Sequence, residues 1–128
     1  MNDANGKTLF ERLGGSDGIR DLVEQVVALH MVNPVIGARF RPYAETPERL
    51  ATAKQHLCHF LEMGSGGPAR YAGRSMPDTH RGMNINAAEY MAAIDDILEG
   101  LRRRQADEQT RKDVLAIAYS LKGEILHV

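Results

Sequence analysis

The chain has 128 residues, 26% of them charged, and a formal net charge of −1. This length suits a single domain over residues 1–128, and the near-neutral charge excludes an electrostatic surface for nucleic acid. One cysteine, Cys58, excludes an internal disulfide framework and a cysteine-rich zinc finger. Since no signal peptide and no apolar stretch of membrane-spanning length is visible, we expect a soluble, cytoplasmic protein without membrane contact.

The amino-terminal part of the chain shows helical periodicity. A short helical piece is predicted over residues 8–13, because two glycines, typical of a helix C-terminus, follow it. Apolar residues at helical spacing predict a longer helix from about Asp17 to Asn33, with Ser16 as its N-cap. His30 lies on the apolar face of this helix, where we expect a core-edge histidine bonded to a backbone carbonyl.

Three further helices are predicted in the rest of the chain. The first begins at Thr46-Pro47, an N-cap followed by a proline in the first turn, and ends near Gly64. The second begins at Asn86, whose spacing to Glu89 resembles a capping box, and the last begins at Asp107. The predicted fold class is therefore all-α, with four main helices and short connecting pieces.

Three histidines in the middle of the chain, His56, His59 and His80, are candidate metal ligands. On a helical wheel His56 shares the apolar face of its helix, whereas His59 points away from that face. Position alone leaves His56 open to another interpretation, a core-edge histidine bonded to a backbone carbonyl. A zinc site is a further alternative, although the two helical histidines diverge and no fourth cysteine or histidine lies nearby.

Longer segments of the chain carry a family resemblance. They are "TLFERLGG" near the amino terminus, "GGPARYAGRSMPDTHRGMNI" in the middle, "NAAEYMAAIDDILEGLRR" after it and "LAIAYSLKGEIL" near the end. In these segments, and over nearly its whole length, the chain resembles the first group of the truncated haemoglobins. The resemblance implies a two-over-two helical sandwich around a haem b, whose iron binds the diatomic gases O₂, NO and CO.

The resemblance also implies roles for individual residues. His80 matches the proximal ligand of the iron, and His56 matches a position that supplies a second axial histidine in some members. Arg74 matches a partner for a haem propionate, a role that suits a guanidinium because it pairs with carboxylates in a fixed fork. The remaining matches are positions of the haem pocket: Phe40, Ala53, Leu57, Phe60, Met76, Ile85, Tyr90 and Ile94.

The chain departs from the family pattern in the distal pocket. The family usually places a tyrosine in the second helix and a glutamine in the distal helix, whereas the matching positions here are Val27, Ala53 and Leu57. None of these side chains donates a hydrogen bond, so His56 is the one polar side chain expected there.

This apolar pocket bears on the expected function. Without fixed donors it should hold O₂ weakly and favour oxidation of the iron, which argues against oxygen storage. NO dioxygenation, redox sensing and electron transfer remain, and any such enzyme activity would depend on an external reductase, because the chain has no room for a flavin or nicotinamide domain. The alternative from another class is a cofactor-free helical interaction module.

Overall fold

The structure is a computed structural model that describes residues 6–67, 84–120, 122 and 126. No strand is formed in these ranges, and a parallel bridge joins Ile85 to Leu126. No helix in the same ranges is long and apolar enough to cross a membrane. The all-α prediction is confirmed by the helices of the described residues, namely α1 (Leu9–Arg12), α2 (Gly15–Val32), α3 (Gly37–Ala44), α4 (Pro47–Gly64), α5 (Ala87–Arg103) and α6 (Glu108–Ser120).

The predicted start of α5 is confirmed in atomic detail. The side-chain oxygen of Asn86 accepts a hydrogen bond from the backbone N–H of Glu89 at 2.8 Å. The Glu89 carboxylate in turn accepts from the backbone N–H of Asn86 at 3.1 Å. This reciprocal pair satisfies two backbone donors that a helix start leaves unpaired. The predicted limits of α4 are also confirmed, since Pro47 occupies its first turn and Gly64 ends it.

Two local predictions are corrected. Ser16 is not the N-cap of α2, because the helix already begins at Gly15 after Gly14, whose φ of +92° lies in the left-handed region that favours glycine. The second correction is α3, a helix that the sequence patterns left among the short connecting pieces. Its eight residues include Pro42, and only Gly37 among them is buried, so α3 presents no apolar stripe that periodicity could detect.

The helices form two packed pairs that also pack on each other. α2 packs against α4, α5 packs against α6, and α2 also packs on α5, which joins the pairs. The approach of α2 to α5 is close at Gly100, where an added Cβ would meet Leu22 Cδ1 at 3.1 Å and Val26 Cγ2 at 3.3 Å. The main core, centred on the buried residues of α2, therefore needs a small residue at this point of α5.

Candidate haem site

The inner face of α4 forms one wall of the candidate site. His56 lies there between Ala53, Leu57 and Phe60, and all four side chains are half-buried. Leu57 and Phe60 also pack against the main core, while Leu61 is the single buried residue of this 18-residue helix. A helix with so much half-covered apolar surface beside an imidazole fits a large apolar ligand.

A second wall comes from α5 and the residues just before it. Ile85, Tyr90 and Ile94 are buried and form one apolar cluster. The Tyr90 hydroxyl donates a hydrogen bond to the carbonyl oxygen of Ala118 on α6. Burial raises the pKa of the Tyr90 hydroxyl, so the side chain stays a neutral donor near pH 7. Leu98 packs against both this cluster and the main core, which places the two clusters side by side.

Phe40 lies on α3, which connects α2 to α4 in chain order. Its half-buried ring lies against the ring of His30, with centroids 4.7 Å apart and planes tilted by 44°. The neighbouring Arg39 ties α3 to the start of α5, because its guanidinium donates two hydrogen bonds to the Glu89 carboxylate. These bonds hold the pKa of Glu89 below its ordinary value, so the ion pair persists into mildly acidic solution.

Three of the predicted site residues, Arg74, Met76 and His80, lie outside the described residues, so their roles stay predictions. The described part supplies the two apolar walls, the phenylalanine of α3 and the imidazole of His56. Val27, the position that the family usually gives to a tyrosine, is buried in the main core and offers no side-chain donor. The chemistry of these residues, apolar surfaces with one imidazole among them, fits a haem.

His30 has a different partner from the predicted backbone carbonyl. Its Nδ1 donates to Oδ2 of Asp96 at 2.7 Å, and both side chains are largely buried. Sequence reasoning missed Asp96 because it lies off the apolar stripe of α5. A signal was present in the four-residue spacing of Ala92, Asp96 and Gly100, which marks a second, small-residue face toward α2.

The other α4 histidine faces elsewhere. His59 and Cys58 line a groove of about 530 Å³ between α2 and α4, on the side bridged by the Lys54–Glu24 ion pair. Burial raises the pKa of the Cys58 thiol, which makes it a poor nucleophile near pH 7. Within residues 6–67 and 84–120, no three side chains of the metal-binding types come together.

Comparison with known proteins gives consistent matches. The model of the bacterial-like globin family matches residues 8–127. The chain is 28% identical over 120 residues to the group 1 truncated hemoglobin GlbN of Nostoc sp. (strain MUN 8820), covering 94% of this chain and 98% of the relative. It is 29% identical over 119 residues to the group 1 truncated hemoglobin of Tetrahymena thermophila, covering 84% of this chain and 94% of the relative.

The fold is also found among solved structures. The crystal structure of the truncated hemoglobin from Tetrahymena pyriformis in its Fe(III) form superposes with a TM-score of 0.85 at 20% identity, covering 95% of this chain and 100% of that one. Because globins enclose a haem between their helices, family membership also implies the cofactor. The chain belongs to the bacterial-like globin family and is a haem-binding group 1 truncated globin.

Proposed function

We propose that residues 1–128 form one domain that binds haem b without a covalent bond, with His80 as the proximal ligand of the iron. The observation that carries this proposal is the half-buried face of α4, on which His56 lies beside Ala53, Leu57 and Phe60. The absence of a CxxCH sequence supports non-covalent attachment. When bound, the haem supplies an iron atom at which O₂, NO and CO can coordinate.

His56 is the proposed distal ligand. His56 shares a half-buried face of α4 with Ala53 and Leu57, and an imidazole there can coordinate iron through one nitrogen while the other donates a hydrogen bond. Ala53 and Leu57 have no side-chain donor or acceptor that competes for this place. We therefore propose that His56 occupies the sixth position in the absence of gas and must move aside before an external ligand binds.

The proposed activity follows from the lack of fixed hydrogen-bond donors at the positions where the family usually stabilises iron-bound O₂. O₂ is stabilised on globin iron by hydrogen bonds, which Val27, Ala53 and Leu57 do not provide. We propose redox chemistry of O₂ and NO, or electron transfer, rather than oxygen storage. If O₂ and NO combine to nitrate, each turnover consumes one electron, which an external cytoplasmic reductase supplies.

Absorption spectra of the purified protein test the ligand assignments. Wild type should be low-spin and six-coordinate in both oxidation states, with a CO-binding rate that reaches a limit at high CO. His56→Ala should become high-spin or water-bound and lose that limit. The matched control His59→Ala, one turn away on another face of α4, should leave both unchanged.

The proximal assignment needs its own variant. His80→Ala should lose most haem affinity, because His80 supplies the one protein bond proposed for the fifth position. Haem retention with an unchanged spectrum would contradict this assignment, and a five-coordinate ferrous wild type would contradict the role of His56. A colourless wild type that ignores added haemin would support the cofactor-free interaction module instead.

A further inference from the structure

A buried polar cluster lies outside the proposed iron ligands and joins three helices. Its centre is Asp96 on α5, which accepts hydrogen bonds from one residue of α2 and from the C-cap residue of that helix. His30 donates through Nδ1 at 2.7 Å, and the Asn33 amide donates to both carboxylate oxygens at 3.1 Å. Because Asp96 is an acceptor, the proton on the contacting nitrogen belongs to His30.

Asn33 also shapes the corner between α2 and α3. Its side-chain oxygen accepts from the backbone N–H of Val35 at 2.9 Å, and its carbonyl oxygen accepts from Gly37 at 2.7 Å. Asn33, which donates hydrogen bonds to Asp96, therefore also stabilises the turn that leads into α3. The cluster is therefore connected to α3 by backbone hydrogen bonds as well as by side chains.

The direct contact with α3 is made by the His30 ring, which lies against Phe40 with centroids 4.7 Å apart. A neutral imidazole contacts that ring by dispersion, whereas a charged imidazolium is attracted to the negative face of the aromatic ring. We propose that His30, held by Asp96, is the positioning residue for Phe40, so that the protonation state of His30 sets how this ring meets the haem. The last step rests on the proposed function.

Within residues 6–67 and 84–120, the charged groups near His30 are accounted for by their own partners. Asp96 on α5 is the charged group that acts on it, and burial outweighs this attraction, so the pKa of His30 is lower than that of an ordinary histidine. On α3, Arg39 is paired with Glu89 and Arg41 donates to the Met31 carbonyl oxygen. On α4, Lys54 is paired with Glu24, nearly two turns before His30 on α2.

Fluorine NMR of protein labelled with 4-fluorophenylalanine tests the link from His30 to Phe40. The chain has three phenylalanines, so the Phe40 resonance can be assigned from a Phe40→Leu sample. We expect this resonance to move between pH 7.5 and pH 5 with a midpoint below 6.5, and to lose the movement in His30→Asn. Asparagine keeps a donor at the Nδ1 position for Asp96 but does not titrate. The Phe10 resonance is the internal control.

A Phe40 resonance that does not titrate in wild type, or that titrates equally in His30→Asn, would overturn the proposal. If His30→Asn fails to fold, Asp96→Asn replaces it. Loss of the carboxylate should lower the midpoint further, and an unchanged midpoint would count against the pair.

The link to haem has a separate readout. In the haem-loaded protein, the absorption spectrum should show a pH-dependent component that disappears in both His30→Asn and Phe40→Leu but persists in His59→Asn. A Phe40 titration without a matching spectral component would overturn the link to the haem. Failure to bind haem would instead contradict the proposed function, and the fluorine titration of the colourless protein would still decide the role of His30.

Discussion

α2 and α4 each have 18 residues and pack against each other, yet they are buried very differently. α2 has seven buried residues, including His30, whereas α4 has Leu61 alone. The reason lies in their neighbours. α2 meets α4 along one side and α5 along another, while the inner face of α4 is only half covered by protein.

By this contrast α2 mainly stabilises the fold, whereas α4 presents a half-buried apolar face that a ligand could cover. Apolar area removed from water stabilises the folded chain by about 25 cal/mol per Å², so α2 contributes more to folding than α4 does. The half-covered side chains of α4 can gain burial from a ligand instead. Three predictions test this division of roles, beginning with the largest expected effect.

Leu22→Ala on α2 should cost about 2–5 kcal/mol of unfolding free energy, because Leu22 is fully buried against the close approach of α5 and the cavity would not collapse. The matched variant Leu57→Ala on α4 removes a half-buried side chain and should cost less in the haem-free protein. Denaturant titration of both variants measures the difference. Adding haemin should increase the loss of unfolding free energy for Leu57→Ala but not for Leu22→Ala. If the two variants lost equal amounts both without haemin and with it, the contrast between α2 and α4 would be contradicted.

The histidines of the two helices should respond differently to acid. The pKa of His30 is lowered in the folded state, chiefly by burial, so the unfolded chain binds its proton more readily. This contribution to stability is complete above pH 6.5 and declines as the pH falls through the unfolded pKa toward the lower folded one. His30→Asn should therefore flatten the loss of stability between pH 7 and pH 5.

The control is His59→Asn on α4, which should leave the slope of stability against pH as in wild type. Thermal unfolding at several pH values gives both slopes. If the His59 variant flattened the curve and the His30 variant did not, the buried site on α2 would not be the one that loses stability in acid.

The smallest effect on stability is expected for a partly exposed ion pair between α2 and α4. Lys54 Nζ on α4 lies 2.8 Å from Glu24 Oε2 on α2, with side chains 26% and 57% exposed. Exposed pairs of this kind contribute about 0–1 kcal/mol, because water screens the charges and both side chains lose freedom. Lys54→Met should change the unfolding free energy by no more than that. A loss comparable to Leu22→Ala would mean that the surface, not the core, joins α2 to α4.

Local patterns and the family resemblance predicted much of the candidate site. The shared apolar face of His56, Ala53 and Leu57 follows from helical spacing, and the structure keeps these side chains half-buried on α4. The positions matched to Ile85, Tyr90 and Ile94 proved to be one buried cluster, although their role as a haem wall stays a proposal. α3 was not predicted as a main helix, because a short helix with few buried residues shows no regular spacing of apolar residues.

The sequence by itself determined what depends on near neighbours in the chain. The capping box of Asn86 and Glu89 and the proline start of α4 belong to this class, because all the partners lie within one helical turn. Tertiary structure alone decided the partner of His30, since Asp96 lies 66 residues away and reaches it only when α5 packs on α2. It also decided that α2 is buried and α4 half open, because burial depends on which helices meet and not on the period of either one.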